Sequence, residues 1–157
     1  MQTKYNRVGV GGTFELLHKG HKKLILKALE ISDRVIIGLT TSTMLKMYPK
    51  PHKIADYEER KKQLTNFVKS REVLDKVQIV PINDPYGPAL DDSTMDALVC
   101  SIETADMAKK INKLRTERGL KPLEIIVINM ILAEDNVPIS TTRIKNGEIG
   151  LEGKLLL

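Results

Sequence analysis

The sequence predicts an α/β fold: a doubly wound, Rossmann-like, five-stranded parallel sheet with helices on both faces, in one domain spanning 1–157. Three observations predict it. Five short runs dense in Val, Ile and Leu recur along the chain, each bounded by turn residues. Most of the segments between them read as helical, by the spacing of their apolar residues or by start and stop signals. The first run, a glycine turn, the first helical stripe and the second run fall within about 35 residues, the length of a βαβ unit, whose right-handed crossover makes its strands parallel.

Each element follows in order. "YNRVGVGG" is a short strand over 4–10 that ends in the glycine turn. "HKKLILKALEIS" places apolar residues at 24, 25, 28, 29 and 31, one helical stripe. "DRVIIGLT" is a continuous apolar run, the pattern of a strand covered on both faces, over 34–40. A short helical piece, a Pro- and Lys-rich loop over 46–55 and a helix over 57–70 come next. "KVQIVPI" is the third strand, and "NDPYGPALDDST" is a loop by its Asn, Asp, Pro and Gly content. "DALVCSI" is the fourth strand, "ETADMAKKINKLRTERG" a helix closed by Gly119, and "LEIIVINM" the fifth strand. In the tail, "PISTTRIKNGEIGLEGKLLL", a Ser/Thr cap introduces a short helix and an apolar segment follows.

Composition bounds the function. At 157 residues, with 41% hydrophobic and 29% charged residues, the chain has the make-up of a globular domain. The net charge is +5, from 25 Lys and Arg against 20 Asp and Glu. The basic residues come in pairs among interleaved acids, and only four Tyr and two Phe are available to stack on bases, so a nucleic-acid partner is not expected. No apolar stretch approaches the ~18 residues of a membrane span, and the first residues carry no signal-peptide pattern. The lone Cys100 lies in an apolar run and reads as a buried, inert thiol in a reducing compartment. The expected location is cytoplasmic, with no membrane partner.

The chemistry concentrates in "GGTFELLHKGH", residues 11 to 21. Glycines let backbone approach a ligand, and His18 and His21, three apart at a helix start, share a face. Free N–H groups near Gly20 and His21 at that start are natural phosphate ligands. Neither G-x-G-x-x-G nor G-x-x-x-x-G-K-[ST] occurs, which removes the dinucleotide and P-loop fingerprints. Zinc ranks below phosphate, because His18-x-x-His21 has no cysteine partners and the remaining histidine, His52, sits in a loop; no metal ligand is assigned. A turn with surface histidines is the bland alternative.

These residues carry a resemblance. "GTFELLHKGH" resembles the G-T-F-D-x-x-H-x-G-H signature of the nucleotidylyltransferase superfamily, and "ISTTRI" at 139–144 resembles its second signature. "KIADYEERKKQL" at 53–64 and "SIETADMAKKINKLRTERGLKPLEI" at 101–125 are similar to archaeal phosphopantetheine adenylyltransferases and the matching domain of eukaryotic coenzyme A synthase. The resemblance covers nearly the whole chain. Two departures are Glu15 where the family has Asp, and Leu16 in place of a frequent proline.

The resemblance implies transfer of AMP from ATP, with Mg²⁺, to 4′-phosphopantetheine, giving dephospho-coenzyme A and pyrophosphate. It implies His21 as the donor to the α-phosphate in the transition state, and His18, Gly11, Gly12, Phe14 and Gly20 around the triphosphate. Thr13 would stand where the acceptor phosphate meets ATP, and Ser140, Thr141, Thr142 and Arg143 would supply donors to the β- and γ-phosphates. Lys46, Lys50 and Lys53 are candidates for the acceptor phosphate, Lys53 also for catalysis; Glu103 is a candidate for the ribose and Arg115 for the phosphates. A glycerol-3-phosphate cytidylyltransferase and an FAD synthetase share these motifs and remain alternatives, as do a basic nucleic-acid-binding domain and a degenerate nucleotide-binding regulator. Oligomeric state is not readable.

Overall fold

The structure, a computed structural model, describes residues 3–47, 49 and 53–156. Lys50 and His52 lie outside them. Five strands, β1 (Tyr5–Gly12), β2 (Ser32–Thr40), β3 (Val77–Ile82), β4 (Ala97–Ser101) and β5 (Glu124–Ile128), form one sheet in the order β3-β2-β1-β4-β5, and every adjacent pair is parallel. The winding direction reverses between β1 and β4, so a crevice opens at the carboxyl ends of these two strands, where open α/β sheets place their ligands.

Side-chain alternation along β2 divides the core in two. Val35, Ile37 and Leu39 face one way, joining Val8 and Val10 of β1, Ile25 and Ala28 of α1 (Lys19–Ile31) and Leu64 of α3 (Tyr57–Ser70). Ile36 faces the other way, with Met95, Leu123 and Ile111 of α4 (Ala105–Glu117). Both faces are thus covered, as the unbroken apolar run of β2 requires. Asp56 starts α3 by accepting the Glu59 N–H at 2.9 Å, and the buried stripe Arg60, Leu64, Val68 follows at four-residue steps. The short α2 (Ser42–Met47) and α5 (Thr141–Lys145) complete the α-helices among the described residues.

Three strands end elsewhere than in the sequence reading. The first strand does not stop at 10: Gly11 and Gly12 pair with Gly38 and Leu39, so ladder hydrogen bonds hold as strand the glycines read as a turn. The fourth strand ends at Ser101, and Ile102–Thr104 wind into a tight turn before α4. The fifth ends at Ile128, leaving Asn129 and Met130 free of the sheet. In the tail, Ile149 bridges Leu155 antiparallel and packs with Ala133 and Ile139.

Candidate active site

The histidine turn is built by its own backbone. His18 occupies the position before α1, and its Nδ1 accepts the N–H groups of Gly20 at 3.0 Å and His21 at 3.4 Å. His21 reciprocates, its Nδ1 accepting the His18 N–H at 3.2 Å. This is a capping box written with two imidazoles. Glycine is needed between them, because a Cβ on Gly20 would stand 2.9 Å from His18 Cε1. Since Nδ1 of each ring is an acceptor, hydrogen-bonding logic assigns the proton to Nε2 of each, leaving two outward N–H donors.

The rings stack, with centroids 3.7 Å apart and planes 17° apart, and Phe14 meets His21 edge-on at 5.3 Å. Burial pushes His18 down to about 4; burial, and then the neighbouring His18, push His21 down to about 3. Both are neutral at pH 7 and act as donors without carrying charge.

These imidazoles face a cleft of about 410 Å³. Thr13 and Phe14 after β1, Glu103 after β4, Asn129 and Met130 after β5, and Ser140, Thr141 and Thr142 at the start of α5 complete its wall. The two motif turns, far apart in the chain, therefore converge at one crevice. Ser140 Oγ caps α5 by accepting the Arg143 N–H at 3.2 Å, and Thr141 Oγ1 donates to the Glu15 C=O at 3.2 Å.

A second groove of about 420 Å³ lies on the α4 face of the sheet and shares Thr13 and Glu103 with the first. Its floor includes Gly9, Gly11 and Gly38, and Ala89, Met95, Leu98, Met107 and Ile111 make the rest largely aliphatic. A Cβ on Gly11 would meet nothing nearer than the Gly38 C=O at 3.9 Å, so its lack of a side chain keeps this space open. Gly11 and Gly12 thus line the second groove, and Cys100 joins its wall, its thiol pushed up by burial.

Nine residues expected around ATP line the first cleft: Thr13, Phe14, His18, Gly20, His21, Glu103, Ser140, Thr141 and Thr142. Other expected site residues lie outside the lining of that cleft. Arg143 is engaged elsewhere, paired with Asp135 and Glu148 and donating to the C=O groups of Val137 and Pro138, because those carboxylates neutralise a cation the helix start disfavours. Arg115, placed by the resemblance among phosphate ligands, is 1% exposed and donates to the C=O groups of Lys121, Ala89 and Asp92, bolting α4 to the groove wall. Lys46 and Lys53 line a separate open depression of about 510 Å³ that touches the first cleft at Ile54.

Arg60, to which the sequence reading gave no role, is fully buried, and Asn129 and Met130, read as strand, line the first cleft. The sequence reading also missed the groove floor, though the alternation Val8, Gly9, Val10, Gly11 marks a strand with one bare face.

Residues 10–147 match the family described as cytidylyltransferase-like. Over 152 residues the chain is 45% identical to a phosphopantetheine adenylyltransferase of Methanosarcina barkeri, covering 95% of this chain and 92% of that one. The chain belongs to the cytidylyltransferase-like family, in its phosphopantetheine adenylyltransferase branch. A second member of the branch, from Methanosarcina acetivorans, is 44% identical, covering 95% of each chain. Among solved structures, a protein of unknown function from Archaeoglobus fulgidus superposes with a TM-score of 0.69 at 36% identity, over 78% of this chain and 88% of that one.

Proposed function

We propose that the chain transfers AMP from ATP to 4′-phosphopantetheine, forming dephospho-coenzyme A and pyrophosphate. The observation that carries this reading is the meeting of two unlike grooves at Thr13, one lined by imidazole, hydroxyl and amide donors, the other largely aliphatic. The first suits a nucleoside triphosphate. The second suits an acceptor with a phosphate at one end and an extended, uncharged arm behind it; glycerol 3-phosphate would leave it empty.

The acceptor's phosphate monoester is largely dianionic at neutral pH and is its own nucleophile. One of its oxygens bonds to the α-phosphorus of ATP as the bond to the β-bridging oxygen breaks, and the electron pair leaves with pyrophosphate. No side chain has to remove a proton. Catalysis rests on aligning the two phosphates at Thr13 and on donors aimed where negative charge grows. His18 and His21, neutral and held through Nδ1, present Nε2–H to the α- and β-phosphates, and Ser140, Thr141 and Thr142 hold the triphosphate tail. Lys46 and Lys53, in the depression that adjoins the first cleft at Ile54, are the cations assigned to the acceptor phosphate, and Glu103, on both grooves, meets the ribose. ATP enters as its Mg²⁺ complex, with the metal held by phosphate oxygens. Among the described residues, no helix is long and apolar enough to cross a membrane; the reading sets the reaction in the cytoplasm.

The test is incubation with Mg²⁺, ATP and 4′-phosphopantetheine, beside CTP with glycerol 3-phosphate and ATP with FMN. Dephospho-coenzyme A is the expected product; turnover of either other pair with none of the first would overturn the assignment.

A further inference from the structure

Ala55 is gripped through both its backbone N–H and its C=O by buried side chains of opposite charge. Its N–H donates to Glu15 Oε2 at 2.8 Å, and its C=O accepts from Arg60 Nε at 2.8 Å. Glu15 is 5% exposed and Arg60 is 0% exposed. Arg60 Nη1 donates further to the C=O groups of Thr13 at 3.1 Å and Thr40 at 2.7 Å, tying the 53–56 loop to the ends of β1 and β2. A guanidinium out of water is costly to hold, and the three carbonyls that this one reaches, on Ala55, Thr13 and Thr40, fix the geometry around Ala55.

Glu15 also reaches the other motif. Its C=O accepts from Thr141 Oγ1, and its carboxylate pairs with Lys145 Nζ at 3.3 Å, while Lys145 donates to the C=O of Lys53. One residue thus touches α5, whose first turn carries the hydroxyls of the first cleft, and the loop that presents Ile54 to that cleft and Lys53 to the adjoining depression. With five residues, α5 has little stability of its own, so its position answers to what binds it.

We propose that Glu15 couples the two substrate subsites: triphosphate bound at Ser140–Thr142 acts through Thr141 and Lys145 on Glu15, which sets Ala55 and, through Arg60, the backbone of Thr13 where the two grooves meet. Glu15 is a positioning residue in this scheme, and the proposal rests on the adenylyltransfer reading above. Coupling is reciprocal by thermodynamic necessity, so it can be read from either ligand. A clamp that only held the fold together would change stability without changing the coupling.

The test is calorimetric titration of 4′-phosphopantetheine with and without α,β-methylene-ATP and Mg²⁺, on the parent, Glu15→Ala and Lys145→Met, with thermal melts to confirm folding. In the parent, the analogue should tighten acceptor binding about fivefold or more; in each variant the factor should fall below about twofold. Should Glu15→Ala fail to fold, Lys145→Met decides, since its side chain leaves the Ala55 hydrogen bonds in place. A parent with equal affinities in the two titrations, or variants that keep the parent's factor, would overturn the coupling. A parent that uses glycerol 3-phosphate or FMN instead overturns the acceptor reading alone, and the coupling is then measured with that acceptor. A parent that binds no phosphate acceptor overturns both.

Discussion

His18 and His21 hold each other through Nδ1: each ring accepts a backbone N–H from the other residue, and both Nε2–H groups are left for a ligand. Structural and chemical roles therefore sit on opposite nitrogens of one ring, and substitution can separate them.

His21→Ala should lower kcat for dephospho-coenzyme A formation by about 100-fold or more, the cost of a lost transition-state donor. His18→Asn should keep the helix start, because an Asn oxygen caps well, yet lose activity. His18→Ala should lose activity and also about 1 kcal/mol of stability. Steady-state kinetics beside urea unfolding checks all three; full turnover in His18→Asn would remove that imidazole from the chemistry.

The same burial makes stability depend on pH. His18 falls from 6.5 to about 4 and His21 to about 3 on folding, so between these values the unfolded chain binds protons that the folded one does not. Their neutral burial is without cost above pH 6.5, and stability should fall as pH drops from there toward 4. Melting temperatures across that range should slope less steeply in His18→Asn than in the parent.

Gly11→Ala adds one methyl to the open floor of the second groove and meets no protein atom closer than 3.9 Å. The fold should be unchanged, and KM for 4′-phosphopantetheine should rise about tenfold, a typical penalty for one extra methyl in a fitted pocket. KM for ATP should stay near its parent value. An equal rise in both would move the acceptor arm out of this groove.

Arg115→Ala would strip three carbonyls, the buried one of Ala89 and the partly buried ones of Lys121 and Asp92, of their donor. A loss of about 3 kcal/mol in unfolding free energy is expected, near 1 kcal/mol for each acceptor. A phosphate ligand on the surface would instead leave the urea midpoint where it was.

Much of this molecule was legible in its residues. The alternation of apolar runs and helical stripes places all five strands and predicts α3 over the residues it occupies, because these elements are set by local periodicity and caps such as Asp56. Both motif turns were legible for a similar reason: "HKGH" needs its glycine to let His18 fold back onto α1, a constraint internal to four residues. Arg60 and Arg115 were not, since an arginine on a helix is read as solvated until distant carbonyls are known to surround it.

By itself, the sequence determined the α/β alternation, the family signatures and the residue types from which a triphosphate site is made, because each depends on neighbours within a turn or two of chain. Tertiary structure alone decided that Arg143 serves Asp135, that Arg115 braces a wall, that Gly11 floors a second groove, and that Glu15 touches both motifs. Those outcomes depend on which sheet face is covered and which segments, up to 126 residues apart in the chain, come into contact, and packing sets both.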